Sequence, residues 1–361
     1  MPHFALPATS EPDFGRIEMV LRRRGEPDRV PFFELFSNIE QEVLRALGLF
    51  DESGLAAQGR QRDERQMRQH VVYQRALGYD YVNVGASGFS FPQRERPTVM
   101  GAQGPRSYVP ADFPTIATWE EFERYPWPRM EDVDYWPVER MAEIVPDGMK
   151  AIVMGPGGVL ENVMWLLSYA GIGYLLYDDE PLVAAMFDEV GTRLVAYFDA
   201  LASFDVVGGM ILGDDMGFKT QIMLSPAVFR KYVFPWHRKL VDVVHRHGKP
   251  IALHACGNLS VVMGDVIACG WDAKHSFEDV IEPVWETKRR YGDRIALLGG
   301  FDLDAICRMS EAEIRAHTRA LIERCAPGGG WALGTGNSVA NYIPVESFLT
   351  MIDEGLRAGR Y

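Results

Sequence analysis

No apolar run in this sequence approaches the roughly 20 residues that cross a bilayer. The runs Ala151–Met154 and Met210–Leu212 are far shorter, so no membrane span is expected. Positive charge is in deficit: 37 Lys and Arg against 50 Asp and Glu leave a formal net charge of −13. That balance argues against a nucleic-acid partner and against a pocket built for a heavily anionic ligand. The start, Met1-Pro2-His3-Phe4-Ala5-Leu6, shows neither a basic leader nor an apolar core segment, and a cytoplasmic protein is expected. Cysteine is scarce. Four in 361 residues (Cys256, Cys269, Cys307, Cys325) make no disulfide framework. The last three fall in helix-like segments and read as small buried apolar residues.

The composition, 47% hydrophobic and 24% charged, is that of an ordinary folded protein. Residues 1–15 read as a loosely held arm. Beyond them, short apolar runs alternate with amphipathic stretches. The expected strands are Val30–Phe36, Tyr79–Val84, Ala151–Met154, Met210–Gly213, Pro250–Cys256, Asp272–His275, Ile295–Gly299 and Trp331–Thr335. Pro181–Ser203 and Pro226–His247 carry apolar residues at helical spacing, and Ser310 with Glu313 has the spacing of a capping box. Such alternation predicts an α/β fold, a single (β/α)8 TIM barrel over residues 16–361. The proline-rich stretch 87–146 reads as an insertion after the second strand.

In such barrels, chemistry gathers at the C-terminal ends of the strands. Those ends carry Glu34, Phe36 and Ser37; Asn83; Gly155-Pro156-Gly157-Gly158 with Glu161; and Asp214-Asp215 with Lys219. They continue with His254-Ala255-Cys256-Gly257-Asn258, His275 with Glu278, Gly299-Gly300-Phe301-Asp302, and Gly334-Thr335-Gly336-Asn337. On a strand, residues i and i+2 point the same way, so the His254 imidazole and the Cys256 thiol converge. Nitrogen beside sulfur suits zinc. The bland alternative is a carbonyl-bonded histidine next to an inert cysteine. Asp214, Asp215, Glu161, His275 and Asn337 are the candidate further ligands. Adjacent acids alternate in direction, so one of Asp214 and Asp215 faces the pocket while the other caps the next helix; Asp215 is favoured for the pocket. His275 has its own bland reading, a core histidine satisfied by a carboxylate such as Glu278. The 155–158 run lacks the Lys-Ser/Thr of a P-loop and is expected to form a tight turn that lets a flat ligand approach the backbone. Gly300 reads as a similar device.

With these motifs in view, the chain resembles the uroporphyrinogen decarboxylase superfamily. That group includes the decarboxylase itself and the cobalamin-dependent methyltransferases related to methylcobamide:coenzyme M methyltransferase. The marks are Asp214-Asp215 before Leu224-Ser225-Pro226, Phe234-Pro235, His254-Ala255-Cys256-Gly257, Gly299-Gly300-Phe301-Asp302, and Gly334-Thr335-Gly336-Asn337 followed by Ile343-Pro344. The resemblance implies a (β/α)8 barrel. The decarboxylase branch carries an arginine-rich segment, Pro-Val-Trp-x-Met-Arg-Gln-Ala-Gly-Arg, for its many-carboxylate substrate. Here the matching stretch is Val30-Pro31-Phe32-Phe33-Glu34-Leu35-Phe36-Ser37-Asn38, without arginine after the proline. Glu34 there would repel carboxylates, so uroporphyrinogen is not the expected substrate.

The methyltransferase branch holds zinc with His-x-Cys and a later cysteine. His254 and Cys256 match; the later cysteine falls at Asn337. The resemblance therefore implies a methyltransferase moving a methyl group from a small O-, N- or S-methyl compound to a corrinoid. Zinc on His254 and Cys256 is its Lewis acid, with Asp215 or Glu161 completing the metal site or supplying a proton. Gly157, Gly300 and Asn258 are assigned to the cofactor. Asn337, Asn83, Phe36, His275 and Asp302 are assigned to substrate, with Trp165 and Phe301 on an apolar wall. The cobalamin loop Asp-x-His-x-x-Gly does not occur in the sequence, so the corrinoid is expected on a partner protein. A homodimer is implied by relatives. Two other readings stand beside this one. A metal-independent decarboxylase of a smaller acid would use Asp215 or Asp80 and arginines such as Arg94, Arg96 and Arg106 at the mouth. A non-catalytic binding or scaffold barrel would have its pocket filled by its own side chains.

Overall fold

Near-continuous apolar runs become strands where both faces of a sheet are covered, because parallel pairing leaves no face for water. The computed structural model describes residues 4–52, 58–95, 98–101, 104–107 and 111–361. In chain order the strands are β1 (Tyr81–Val84), β2 (Thr98–Gly101), β3 (Gly104–Ser107), β4 (Lys150–Met154) and β5 (Val207–Gly213). They continue with β6 (Ile251–His254), β7 (Ala273–His275), β8 (Ala296–Leu298) and β9 (Trp331–Ala332). Seven of them form one parallel sheet in the order β1-β4-β5-β6-β7-β8-β9, and β2 and β3 pair as a separate antiparallel hairpin. The sheet curls. Tyr81 of β1 and His275 of β7, distant along it, both meet the Phe33 ring, with centroids 6.0 Å (Phe33–Tyr81) and 5.3 Å (Phe33–His275) apart.

The strand expected over Val30–Phe36 does not form a ladder. It makes single parallel bridges, Phe32 to Leu333 and Ser37 to Val339. Pro31 has no amide to donate, and the Glu34 amide is taken by the Tyr81 hydroxyl at 2.9 Å. The segment lies against β1 through side chains instead, with Asn83 Nδ2 donating to the Leu35 carbonyl at 2.9 Å.

Helices Glu180–Ala202, Phe234–Arg246 and Glu311–Cys325 cover the sheet. The last opens on the expected capping box, with reciprocal bonds between Ser310 and Glu313. Stretch 87–146 holds the β2–β3 hairpin and helices Trp119–Arg124 and Trp136–Ile144. The second helix packs against β1. Helix Phe14–Leu21 begins inside the segment read as an arm, and Phe4 N donates to Ala46 O at 2.9 Å. Asp80, just before β1, is fully buried at the end opposite the site. It accepts from Arg29 Nη2 at 2.8 Å, Arg16 Nη1 at 3.0 Å and the Asp13 amide at 2.9 Å. Such a node is structural, and Asp80 is removed from the list of catalytic acids. Among the described residues no single helix is long and apolar enough to cross a membrane.

Candidate active site

Three donor atoms of different chemistry meet where β5 and β6 end. Asp215, His254 and Cys256 each offer one ligand atom, all within 4.8 Å of one another. Cys256 Sγ is 3.6 Å from His254 Nε2, and Asp215 Oδ1 is 3.8 Å from the same nitrogen. The cause is local. His254 and Cys256 point the same way across one residue, and the Cys256 amide donates to Asp215 Oδ1 at 2.7 Å, which fixes the carboxylate. Zinc bonds of about 2.0–2.3 Å in a tetrahedron separate the donors by roughly 3.3–3.8 Å. The two separations from His254 Nε2 fall in that range.

The hydrogen-bond chain behind His254 decides which of its nitrogens is free. His275 Nε2 lies 3.3 Å from the Thr335 carbonyl, which only accepts, so this nitrogen carries the proton. Burial holds His275 well below its ordinary pKa, so the ring is neutral and its Nδ1 must accept. His254 Nδ1 donates to it at 2.8 Å, leaving the His254 Nε2 lone pair aimed at Cys256 and Asp215. Burial also pulls His254 down to about 4. The Cys256 thiol is pushed up to about 12, by burial first and Asp215 second, so a bound cation would have to displace its proton. Asn337 Nδ2 donates to Sγ at 3.3 Å and favours the thiolate, while its oxygen accepts from the Ser338 amide at 2.8 Å. Asn337 thus serves the sulfur as a donor.

The chain continues to Glu34. Thr335 Oγ1 is 2.6 Å from the Asn337 carbonyl and 2.5 Å from Glu34 Oε2, yet it has one proton. The carbonyl must receive it, so Glu34 donates to Thr335 and is a protonated acid. Burial agrees, pushing Glu34 up to about 8. A carboxyl whose folded pKa is raised contributes stability that is complete below its unfolded value of 4.5 and lost as pH rises through about 8. Between pH 5.5 and 9, Glu34→Gln is expected to lose roughly 3 kcal/mol less unfolding free energy than the parent in urea titrations. Equal slopes in the two proteins would show that Glu34 is ionised throughout.

Asp214 points away from the cup, into the helix layer. It accepts from the amides of Val159, Leu160 and Glu161 at 3.1, 3.2 and 2.8 Å, and pairs with buried His237 at 2.8 Å. One acid of the pair does cap a helix, but the one that follows β4 rather than the next in sequence. Gly158 is required here: a Cβ would sit 2.1 Å from Asp214 Cγ. The same helix start turns Glu161 inward. Its half-buried carboxyl lies near the Gly158 and Asp215 amides, which favour the charged form. Burial, then the nearby Asp214 and Asp215 charges, push it up to about 8. A Cβ at Gly213 would be 3.9 Å from both Glu161 Oε2 and His254 Cδ2, which places the acid beside the cup.

The other assigned residues lie as follows. Gly157 has a left-handed φ of 89° and faces Trp165 and Asn162; Gly300, at φ 122°, faces Val284. Both serve turns and close packing against these side chains. Asp302 caps helix Leu303–Arg308 and accepts from the Asp279 amide at 2.9 Å. Phe301 is fully buried, 4.6 Å from the His317 ring, and belongs to the core rather than an apolar wall. Phe36 and Asn83 line a separate cavity of about 600 Å³ with Met67, Trp136, Met141 and Met154. That cavity adjoins the cup's rim, since the Phe36 carbonyl accepts from Val339, two residues past Asn337. Asn258 lines another cavity, of about 320 Å³, with Lys274. Sequence reasoning missed Lys274, Thr335 and His237. A lysine inside the expected strand Asp272–His275 was the available signal. Arg94 lies 3.6 Å from Glu121; Arg96 and the Arg106 side chain lie outside the described residues.

Residues 152–355 match the family model described as uroporphyrinogen decarboxylase (URO-D). Curated relatives include uroporphyrinogen decarboxylase of Thioalkalivibrio sulfidiphilus, 24% identical over 201 residues, 53% of each chain. That of Geobacter sulfurreducens is 21% identical over 200 residues, 51% of this chain and 52% of that protein. The chain thus spans about half the length of the curated relatives it matches. Among solved structures, a methyltransferase from Methanosarcina mazei superposes with a TM-score of 0.66 at 17% identity, covering 94% of this chain and 97% of that one. That likeness is one of fold.

Proposed function

The chain belongs to the uroporphyrinogen decarboxylase family, and from that premise we propose that it transfers a methyl group from a small methylated compound to a corrinoid on a separate protein. The observation that carries this reading is the cup of Asp215, His254 and Cys256, with the free Nε2 lone pair of His254 turned into it. In this reading those three residues hold a zinc ion. When bound, zinc supplies Lewis-acid polarisation of the leaving heteroatom, and the corrinoid cobalt supplies the nucleophile. The proposal includes a complete (β/α)8 closure, with segment 30–37 sealing the gap between β1 and β9.

The chain's own residues supply the remaining work. An alkoxide or amide anion leaves poorly without a proton. Glu161, protonated up to about pH 8, sits beside the cup and gives its proton to that heteroatom. Asn337 holds the Cys256 sulfur, and the Thr335 carbonyl, acting through His275, holds His254 in its ligating tautomer. Exposed Phe218, Val261, Val280 and Tyr342 stand on the loops after β5, β6, β7 and β9. They form an apolar rim suited to a docking protein. Glu161→Gln is expected to lower kcat by about 10²-fold with metal content unchanged. In the parent, activity should fall above about pH 8 as Glu161 loses its proton.

The decarboxylase reading is favoured by the curated relatives. It takes a small or less carboxylated acid as substrate and needs no metal. The two are separated by assaying the purified protein with and without a zinc chelator. Methyl transfer to a reduced corrinoid that vanishes on chelation supports the first. Release of carbon dioxide that survives chelation replaces it with the second.

A further inference from the structure

Lys274 is a cation placed where the sheet has no use for one. It lies in β7 between Ala273 and His275 and is only 5% exposed. Its Nζ donates to the Ser276 carbonyl at 2.6 Å and sits 4.4 Å above the Phe277 ring. An ammonium has three N–H donors, so one acceptor and a ring face leave it under-satisfied. Among the described residues no carboxylate lies within ion-pair distance of Nζ, and the nearby acids are engaged. Glu278 pairs with Lys219 at 3.4 Å, while Glu282 pairs with Arg290 and accepts the Thr287 hydroxyl at 2.8 Å. A buried ammonium without a counter-charge in contact is unfavourable, and its natural partner is an anion.

Room for that partner is present. The cavity of about 320 Å³ that Lys274 lines lies between the loops after β6 and β7 and the helix Val284–Tyr291. Its other walls carry Asn258, Ser260 and Ser276, groups that hydrogen-bond an oxyanion, and the carboxylates of Glu278 and Glu282, which are held by Lys219 and by Arg290 with Thr287. We infer that this cavity is a built site for a small oxyanion, a carboxylate or phosphate head group, with Lys274 Nζ as its charge partner. The chain's net charge of −13 works against unspecific anion uptake, so binding here has to come from a local arrangement. Burial draws Lys274 down to about 8, with Cys256 and Asp215 pulling the other way; an anion in the cavity would raise it again. The inference does not depend on methyl chemistry, since it concerns a neighbouring cavity and its own cation.

Isothermal titration of the purified chain with inorganic phosphate and, separately, with acetate, at constant ionic strength set by chloride, tests it. Saturable binding of either is expected, weakened by about tenfold or more in Lys274→Met. The stronger of the two names the head group. Crystals soaked in selenate give a readout that needs no variant: anomalous density of selenium within about 4 Å of Lys274 Nζ is expected, with one selenate oxygen at hydrogen-bond distance. Equal binding by parent and Lys274→Met, density only elsewhere, or no saturable binding of either anion would overturn the proposal.

Discussion

Cys256→Ser is expected to lower methyl-transfer kcat/KM by about 10³-fold or more and to strip zinc from the purified protein. Serine keeps the shape and the amide bond to Asp215 Oδ1, but its hydroxyl is a far poorer zinc ligand than a thiolate. The fold should survive, because Cys256 lies beyond the end of β6 and is only half-buried. A shift in Tm within about 3 °C is expected. His254→Ala should lose the metal too, at a greater cost in stability. It removes the donor to His275 Nδ1 and leaves a buried acceptor unpaired. Elemental analysis with thermal melts checks both variants. A parent protein that purifies without metal, gains none on zinc titration and still transfers methyl groups would remove the cup from the reaction. Full activity in Cys256→Ser would do the same.

Some of this was legible in the sequence. His254 and Cys256 converge because strands have a period of two, and Asp215 faces them because it follows Asp214 by one step. Other features were hidden by distance. Glu34 and Thr335 are 301 positions apart and meet only when the first and last segments of the sheet come together. No local pattern predicts that a carboxyl near one end of the chain holds the loop near the other whose Thr335 carbonyl sets a histidine tautomer. Segment 30–36 misled differently. Its apolar character reports burial, which is real, since Phe32 and Phe33 are each 1% exposed. Ladder pairing needs free amides, and Pro31 and Glu34 do not offer them. Lys274 was legible as an anomaly, a charge within a buried strand, yet its cavity depends on a helix ten residues further on. The expected cysteine partner at Asn337 became a hydrogen-bond donor to the sulfur, and Asp215 took the third corner of the cup.

The adjacent acids offer the sharpest separation of fold from chemistry. Asp214→Ala is expected to destabilise the protein by roughly 3–5 kcal/mol. Three amides at the start of helix Val159–Leu167 lose their shared acceptor, and His237, fully buried, loses the partner of its Nε2. His237 Nδ1 is already without a partner, so the ring would then be unpaired on both sides. Asp214→Asn should recover part of the loss, because one amide oxygen still accepts while the NH2 group opposes the helix amides. Asp215→Ala removes one hydrogen bond from a half-buried position, and about 1 kcal/mol is expected. Its effect on metal retention should be large. Urea unfolding alongside zinc analysis of the three variants gives opposite orders of severity for stability and metal. That crossing follows from one residue of alternation at the end of β5, which sends one carboxylate to a helix N-terminus and the next to the cup. Matching orders in the two measurements would mean that Asp215 is also held for the fold, leaving the cup two donors.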